Sequence, residues 1–414
     1  MINLNKKWPR ISVTVSEAYD ILALLFILVL PFSAALPNII LGALLLLYCI
    51  DFNRECFLTF VKSPFIVLTI LLLILFAQAI YTNSFVSDFT YYRKHLYLLA
   101  MPILFFKVNN LRLIKKATLI AVCAMILVSV YRIIKFYMVF KFFPFAEGWA
   151  TNFVLLLERP YAGLFAVIAM IISVDLFFNT EKKKHLYIMS FFLCFGFVFM
   201  ISIRTSILTF LLLFLIYIVF YLRATLRRKA LFLLGLFLTV SLFVFLNKNI
   251  AKRFYIKNSF SESIENTQKF EPRVVIYGCV ENIIQGPNFS FWNGEDSYQA
   301  LQKKLNDCYG SSINEYGKRN WFLDENFNTH NQFIDFFLIG GIIPFLLFVL
   351  FLTWTLVCVY KNFAATAIVL SFTMVLLIEN LFHRQFGCFL FAVFLSIYFK
   401  TAKFQKTTEN HFVP

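Results

Sequence analysis

Basic side chains near the ends of apolar runs are the residues of this sequence that could bind an anion and move a proton. The arginines are Arg93, Arg159, Arg204 and Arg384, with Arg273 in the longest polar stretch, and His330 lies at the end of that stretch. A guanidinium group binds phosphate oxygens in pairs and stays charged in any surroundings. An imidazole accepts or donates a proton near neutral pH. If these groups meet at one membrane face, they predict a site for a diphosphate carried on a lipid.

Each of these residues also has an ordinary structural interpretation. Arg93 and Arg384 would place their charged ends among lipid head groups. An arginine in a loop, such as Arg273, is usually solvated or paired. A single histidine at a helix start, such as His330, often only forms a hydrogen bond at the membrane interface. The proposed site therefore depends on elements that bring these side chains together.

The composition indicates what those elements are. Of the 414 residues, 60% are hydrophobic and only 14% are charged. In soluble domains about 45–50% of the residues are apolar and about 25% are charged. A water-soluble enzyme, a disordered chain and a secreted disulfide scaffold are therefore excluded. The composition predicts an all-α polytopic membrane protein, with residues 1–414 in a single integral membrane domain.

Apolar runs suited to crossing a bilayer recur along the chain. We predict twelve transmembrane helices at residues 19–34, 36–50, 64–81, 88–106, 117–137, 161–178, 186–203, 205–222, 230–246, 333–359, 363–383 and 388–399. One large polar loop, residues 247–329, separates the ninth span from the tenth. Because an unstructured loop of this length is uncommon, we expect it to be partly helical and to carry function.

Lysine and arginine are distributed unevenly between the two sides of these spans. The connections on the side of the N-terminus contain 20 of them, and the opposite connections contain 8 when the long loop is left out. The positive-inside rule then predicts that both termini are cytoplasmic and that loop 247–329 lies on the opposite side. The net charge of +16 is thus interpreted as a marker of topology and not of nucleic-acid binding.

The large loop has two predicted helices. One runs from Glu271 to Ile284, with proline at its first helical position. The other runs from Asp296, which would cap it, to Gly310. Cys279 and Cys308 share this loop, and both a disulfide and two free thiols are consistent with the sequence.

The segment after the loop sets the surroundings of His330. If a helix begins there, Gly341 lies eleven residues further on, and at about 100° per residue the two positions share a helix face. The small glycine would let another helix or a lipid chain approach below the imidazole. Asp335 would point about 140° away from His330, which makes it a poor candidate to orient the ring.

Acidic side chains inside membrane spans are costly and therefore informative. Glu379 lies in the eleventh predicted span, and we interpret it as part of a buried ion pair with His383 or Arg384. No Asp-x-Asp motif occurs in the chain, which argues against an enzyme that holds a metal ion with paired carboxylates. No metal and no cofactor are therefore predicted.

Three features together resemble the O-antigen ligase and O-antigen polymerase superfamily. Arg204-Thr205-Ser206-Ile207-Leu208 contains an arginine and a leucine separated by three residues, and His330 is separated from Gly341 by ten. A large outer loop that contains Arg273 lies between these two patterns. The resemblance is clearest over residues 155–360, which would form the ligase/polymerase-like core.

Members of this superfamily transfer a glycan from undecaprenyl diphosphate to an acceptor at the periplasmic face of the bacterial inner membrane, without a nucleotide or a metal ion. The resemblance implies catalytic roles for His330, Arg204 and Arg273. The imidazole would take the proton of the acceptor hydroxyl, and the guanidinium groups would stabilise the departing diphosphate. Substrate-binding roles are predicted for Arg159, Gly341 and Arg93.

The first functional hypothesis is an O-antigen ligase-like glycosyltransferase. Its partners would be an undecaprenyl-diphosphate-linked glycan donor, a lipid A–core sugar or other hydroxyl acceptor, and membrane lipids. A glycan polymerase and a protein O-oligosaccharyltransferase would use the same chemistry. A twelve-helix transporter or flippase is the alternative from another class, but it should have ionisable groups near the membrane midplane.

Overall fold

The fold is helical throughout the residues that the structure, a computed structural model, describes: 14–144, 151, 153–246, 271–295 and 297–410. The structure is 79% helix, with no strand among these residues, which confirms the predicted helical class. The helices are α1 (Val15–Val29), α2 (Leu36–Ile50), α3 (Arg54–Val61), α4 (Phe65–Tyr81), α5 (Phe89–Lys107), α6 (Leu111–Phe140), α7 (Arg159–Phe178), α8 (Lys184–Met200), α9 (Arg204–Ile216), α10 (Leu226–Leu246), α11 (Pro272–Gln285), α12 (Tyr298–Ser312), α13 (Tyr316–Glu325), α14 (Gln332–Gly340), α15 (Ile342–Val359), α16 (Phe363–Leu376) and α17 (Gln385–Asn410).

Fewer helices than predicted meet a strict criterion of length and hydropathy for crossing a bilayer. Within the described residues five do so: Leu111–Phe140, Arg159–Phe178, Arg204–Tyr221, Ile342–Val359 and Gln385–Ala402. Helices α2 and α3, bent by 113° at their junction, would together make a sixth. Helices α4, α8 and α16 are apolar but shorter. Each predicted apolar run overlaps a helix, while the number of twelve spans stays a prediction.

Helices α7 and α17 form the centre of the bundle. In each, 78% of the apolar window is buried, and α7 packs on α8 while α17 packs on α5. The ring of Phe391 in α17 lies 5.3 Å from that of Phe372 and 4.8 Å from that of Phe382, edge-on in both cases. Phe382 belongs to a short 3-10 turn after α16. The aromatic core therefore fixes the turn that joins α16 to α17.

Polar caps and a proline set where the loop helices begin. The predicted helix from Glu271 to Ile284 is confirmed as α11, with Pro272 in its first turn. The second helix is present as α12, and its N-cap is Ser297, whose hydroxyl accepts the Ala300 N–H at 2.9 Å. The predicted cap, Asp296, lies outside the described residues. Helix α13 was not predicted.

A disulfide joins the first two helices of the loop. The sulfur atoms of Cys279 and Cys308 are bonded, with 5.8 Å between the Cα atoms. This resolves the alternative that the sequence left open. Structural disulfides persist in oxidising compartments, so the bond is consistent with a loop on the non-cytoplasmic side.

The tenth predicted span is broken, and the prediction of one continuous helix over residues 333–359 is wrong. Helix α14 ends at Gly340, and Gly341 adopts a left-handed φ of 76° before α15 begins. A segment of the large loop lies against this break: the Ile342 N–H donates to Phe291 O at 3.1 Å. A Cβ on Gly341 would lie 2.0 Å from the carbonyl oxygen of Trp292. Glycine is therefore required here by both the backbone angle and the space.

Replacing Gly341 with alanine should strongly destabilise the protein. The methyl group would overlap the backbone of Trp292, which cannot move like a side chain, and the left-handed φ adds strain. Gly310→Ala is the matched control, because nothing lies within 4 Å of a Cβ at that helical position. We expect a clear drop in the unfolding temperature in detergent for Gly341→Ala only. Equal unfolding temperatures for the two variants would contradict this account of the break.

Candidate active site

Five side chains from four segments of the chain form a continuous series of ion pairs that ends in a histidine–carboxylate hydrogen bond. His330 Nδ1 lies 2.9 Å from Glu379 Oε2, and Arg273 Nη2 lies 2.7 Å from Glu379 Oε1. Arg273 Nη1 lies 2.6 Å from Glu271 Oε1. Glu271 Oε2 completes the series at 3.3 Å from Arg204 Nη1. This series, which we call the charge chain, brings together the three residues predicted to be catalytic.

The charge chain is partly open to its surroundings. The exposed fraction of the side chain is 44% for Arg204, 27% for Arg273 and 22% for His330. A cavity of about 610 Å³ lies between α11 and residues 312–318, and none of the charge-chain residues lines it.

Arg204 is the first residue of α9, and its position depends on the turn before it. Arg159, the first residue of α7, donates hydrogen bonds from Nε to Ile201 O at 2.9 Å and from Nη2 to Ser202 O at 3.0 Å. These bonds satisfy carbonyls at the end of α8 and hold the turn that leads into Arg204. The contacts of Arg159 thus indicate a positioning role beside the charge chain, and its predicted role in substrate binding stays a prediction.

Arg273 is in the first turn of α11, as the sequence predicts. Its Nε donates to Ile378 O at 3.1 Å, while Nη1 and Nη2 contact Glu271 and Glu379. The planar guanidinium group therefore ties α11 to the turn that follows α16. The positive end of the helix dipole lies at the same place and increases the attraction for anions.

His330 precedes α14 and is not part of a helix. Its backbone is left-handed, with φ 46°, so the predicted helix face shared with Gly341 does not exist. Because the carboxylate of Glu379 accepts a hydrogen bond, the proton of a neutral His330 ring lies on Nδ1. Nε2 is then unprotonated and can act as a base, which is the arrangement used when a carboxylate orients a catalytic histidine.

Glu379 is the residue of this site that sequence reasoning assigned wrongly. Helix α16 ends at Leu376, so Glu379 lies in a turn and not inside a membrane helix. Its predicted partners were His383 and Arg384, neighbours along an assumed helix. Its observed partners are Arg273 and His330, which are distant in sequence.

His383 and Arg384, the predicted partners of Glu379, pair with other carboxylates. His383 Nε2 lies 2.9 Å from Asp335 Oδ2 in a buried pair, and Arg384 Nη2 lies 3.2 Å from Glu158 Oε1 in an exposed one. The prediction that Asp335 does not orient His330 agrees with this arrangement. The segment at residues 377–384 therefore contributes one residue to each of two separate histidine–carboxylate pairs.

Tyr277 is a further residue near the charge chain that the sequence did not single out. Burial raises the pKa of its hydroxyl, while a hydrogen bond with Asn331 and the charge of Arg273 partly offset the effect. The phenol is therefore protonated at neutral pH. It adds a neutral hydrogen-bonding group beside Arg273 and Glu379.

Two predicted substrate-binding residues are not among the described partners of the charge chain. Gly341 packs against the backbone of Trp292 at the break between α14 and α15. Arg93 is exposed on α5 and, within the described part of the chain, pairs with no carboxylate. Their predicted roles in substrate binding stay predictions. No group of three potential metal ligands occurs among the described residues, and the metal-independent reaction likewise stays a prediction.

The fold and the site define a helical membrane protein with guanidinium, carboxylate and imidazole groups converging at the ends of its helices. Residues 189–349 match the family model described as O-antigen ligase. No curated protein matches the chain. The resemblance to the O-antigen ligase and polymerase superfamily is therefore confirmed, and it supports a membrane glycosyltransferase of the ligase or polymerase type. The matched segment includes Arg204, Glu271, Arg273 and His330, while Glu379 lies beyond it.

Proposed function

We propose that this protein transfers a glycan from undecaprenyl diphosphate to a sugar hydroxyl of lipid A–core at the periplasmic face of the bacterial inner membrane. The observation that carries the proposal is the charge chain. It joins Arg204, Arg273 and His330 through two carboxylates, although these residues come from distant parts of the sequence.

The predicted topology supports the periplasmic placement of this site. Residues of the charge chain lie at the start of α9, in the large loop, between that loop and α14, and in the turn after α16. The alternation of spans assigns all of these connections to the side opposite the termini. The disulfide between Cys279 and Cys308 supports the same side, because the cytoplasm keeps thiols reduced.

In the proposed reaction, Nε2 of His330 accepts the proton of the acceptor hydroxyl. The acceptor oxygen attacks the anomeric carbon of the donor sugar, and the bond from that carbon to the diphosphate oxygen breaks. The bonding electrons leave with the diphosphate. The proton stays on His330, whose positive charge is balanced by Glu379 at 2.9 Å. Attack opposite the leaving group inverts the anomeric centre.

Arg273 and Arg204 would stabilise the negative charge that grows on the diphosphate. Groups held in place before the reaction need no reorganisation in the transition state, and this is commonly the largest catalytic term. Glu271 bridges the two guanidinium groups through its two oxygens. A diphosphate carries more charge than this carboxylate, so it would compete for the same guanidinium groups.

The transport hypothesis is less well supported. A transporter should carry its ionisable binding groups on discontinuous helices near the midplane. Here the charge chain lies in turns and loops at the ends of helices. A polymerase or a protein O-oligosaccharyltransferase would use the same charge chain, so these candidates differ from the ligase in acceptor only.

Product analysis with purified protein tests the proposal. The protein is given a lipid-linked glycan donor with lipid A–core, with a second equivalent of donor, or with a peptide that carries hydroxyl groups. A ligase yields glycosylated lipid A–core. A longer glycan on the carrier would show that the protein is a polymerase and not a ligase. A glycosylated peptide would show that it is a protein transferase. No transfer to any acceptor by folded protein would contradict glycan transfer altogether.

A further inference from the structure

A second polar cluster, buried next to the charge chain, is centred on Asp335. The carboxylate of Asp335 is fully buried. Oδ2 accepts hydrogen bonds from Tyr91 Oη at 3.0 Å and from Gln332 Nε2 at 3.2 Å, and it lies 2.9 Å from His383 Nε2. Oδ1 accepts a bond from Asn380 Nδ2 at 3.1 Å. The partners come from α5, α14 and the segment after α16, so Asp335 fixes their relative positions.

Asn328 connects this cluster to His330. Its side-chain Oδ1 accepts the backbone N–H of His330 at 3.0 Å. Its Nδ2 lies 3.3 Å from Nδ1 of His383. One amide side chain therefore spans the distance between the candidate base and the buried histidine–carboxylate pair.

These contacts determine which ring nitrogen of a neutral His383 carries the proton. Because Oδ1 of Asn328 must face the N–H of His330, its NH₂ group faces His383. An NH₂ group only donates hydrogen bonds, so Nδ1 of His383 is an acceptor. The proton of the ring is then on Nε2, where Asp335 accepts it. The bond to Asp335 favours this same tautomer of His383, and the unprotonated Nδ1 then accepts the Asn328 amide in the orientation that also serves His330.

The same contacts bear on the strain in the backbone of His330. A left-handed φ of 46° is unfavourable for a residue with a side chain and persists only where surrounding contacts hold it. The bond from the N–H of His330 to Asn328 is one such contact. Loss of this bond would let the backbone relax and move the imidazole away from Glu379.

We propose that Asn328 is a positioning residue for the transfer reaction, oriented by His383 and Asp335, and that it acts by holding the backbone of His330. This inference rests on the proposed role of His330 as the base. It assigns the buried Asp335–His383 pair to the support of that base and not to a second catalytic centre.

Two substitutions of Asn328 test the inference. Asn328→Leu has nearly the same shape but cannot accept the N–H of His330, and we expect kcat to fall about 100-fold, since small misplacements of a reacting group have effects of this size. The KM for the donor should stay within about threefold, because the arginines that would bind the diphosphate are unchanged. Asn328→Asp keeps a side-chain oxygen that accepts the N–H of His330. It should retain at least about a tenth of the wild-type kcat.

Asn314→Leu, at an exposed position of the same loop, is the control for adding an apolar side chain, and it should behave like the wild type. Unfolding temperatures of all purified variants separate misfolding from misplacement. The inference is overturned if Asn328→Leu keeps the wild-type kcat, if Asn328→Asp loses as much kcat as Asn328→Leu, or if the loss lies in KM alone. A wild-type protein without transfer activity would instead remove the proposed function.

Discussion

Replacing His330 with alanine should lower the rate of glycan transfer about 100- to 10,000-fold, the range lost when a general base is removed. The imidazole is the group of the charge chain that is best placed to accept the hydroxyl proton. Both carboxylates are already engaged, Glu379 by Arg273 and His330 and Glu271 by the two arginines. The measurement is the initial rate of product formation by equal amounts of purified protein. Protein abundance in the membrane should be unchanged, because Arg273 still compensates the charge of Glu379.

His185→Ala is the matched control for this substitution. His185 is exposed in the first turn of α8, at the end of that helix predicted to be cytoplasmic. The His185→Ala variant should transfer glycan at the wild-type rate. A His330→Ala protein that transfers glycan as fast as the wild type would remove the base from the mechanism.

Replacing Arg273 with lysine should lower the rate about 100- to 1,000-fold, as found when one preorganised donor to a developing anion is lost. The guanidinium group of Arg273 contacts Glu271, Glu379 and Ile378 O at once. A lysine ammonium keeps the charge but cannot reproduce this planar arrangement. Arg204→Lys should also impair transfer, for the same geometric reason. The rates of both variants are compared with wild type under single-turnover conditions, which isolate the chemical step.

Arg319→Lys provides the control for an arginine of the same loop outside the charge chain. Arg319 lies over the ring of Tyr316, 5.7 Å from its centroid, and makes no contact with the charge-chain residues described above. The Arg319→Lys variant should transfer glycan at the wild-type rate. If Arg273→Lys and Arg319→Lys behave alike, charge alone suffices and the directed contacts of Arg273 do not matter for catalysis.

The sequence predicted the parts of this molecule that depend on local pattern. Apolar periodicity identified the helical class and a helix at each predicted apolar run, and Pro272 marked the start of α11. The motif order and the topology together predicted that Arg204, Arg273 and His330 meet, and the charge chain brings them together.

The remaining features depend on contacts that no local pattern encodes. His330 and Gly341 would share a helix face only in a continuous helix, whereas the loop segment at Trp292 packs into a break at Gly341. Glu379 was assigned to neighbours within one or two turns, whereas its partners are 49 and 106 residues away.

The most direct test of the central claim is the affinity of the purified protein for undecaprenyl diphosphate, the leaving group itself, in the absence of any acceptor. The wild type and His330→Ala should bind it equally well, and both should prefer it to undecaprenyl monophosphate. Arg273→Lys and Arg204→Lys should bind the diphosphate about tenfold more weakly, because paired contacts of the guanidinium group are lost. Equal affinity in all four proteins, or no preference for the diphosphate, would contradict the claim that the charge chain is built around this leaving group.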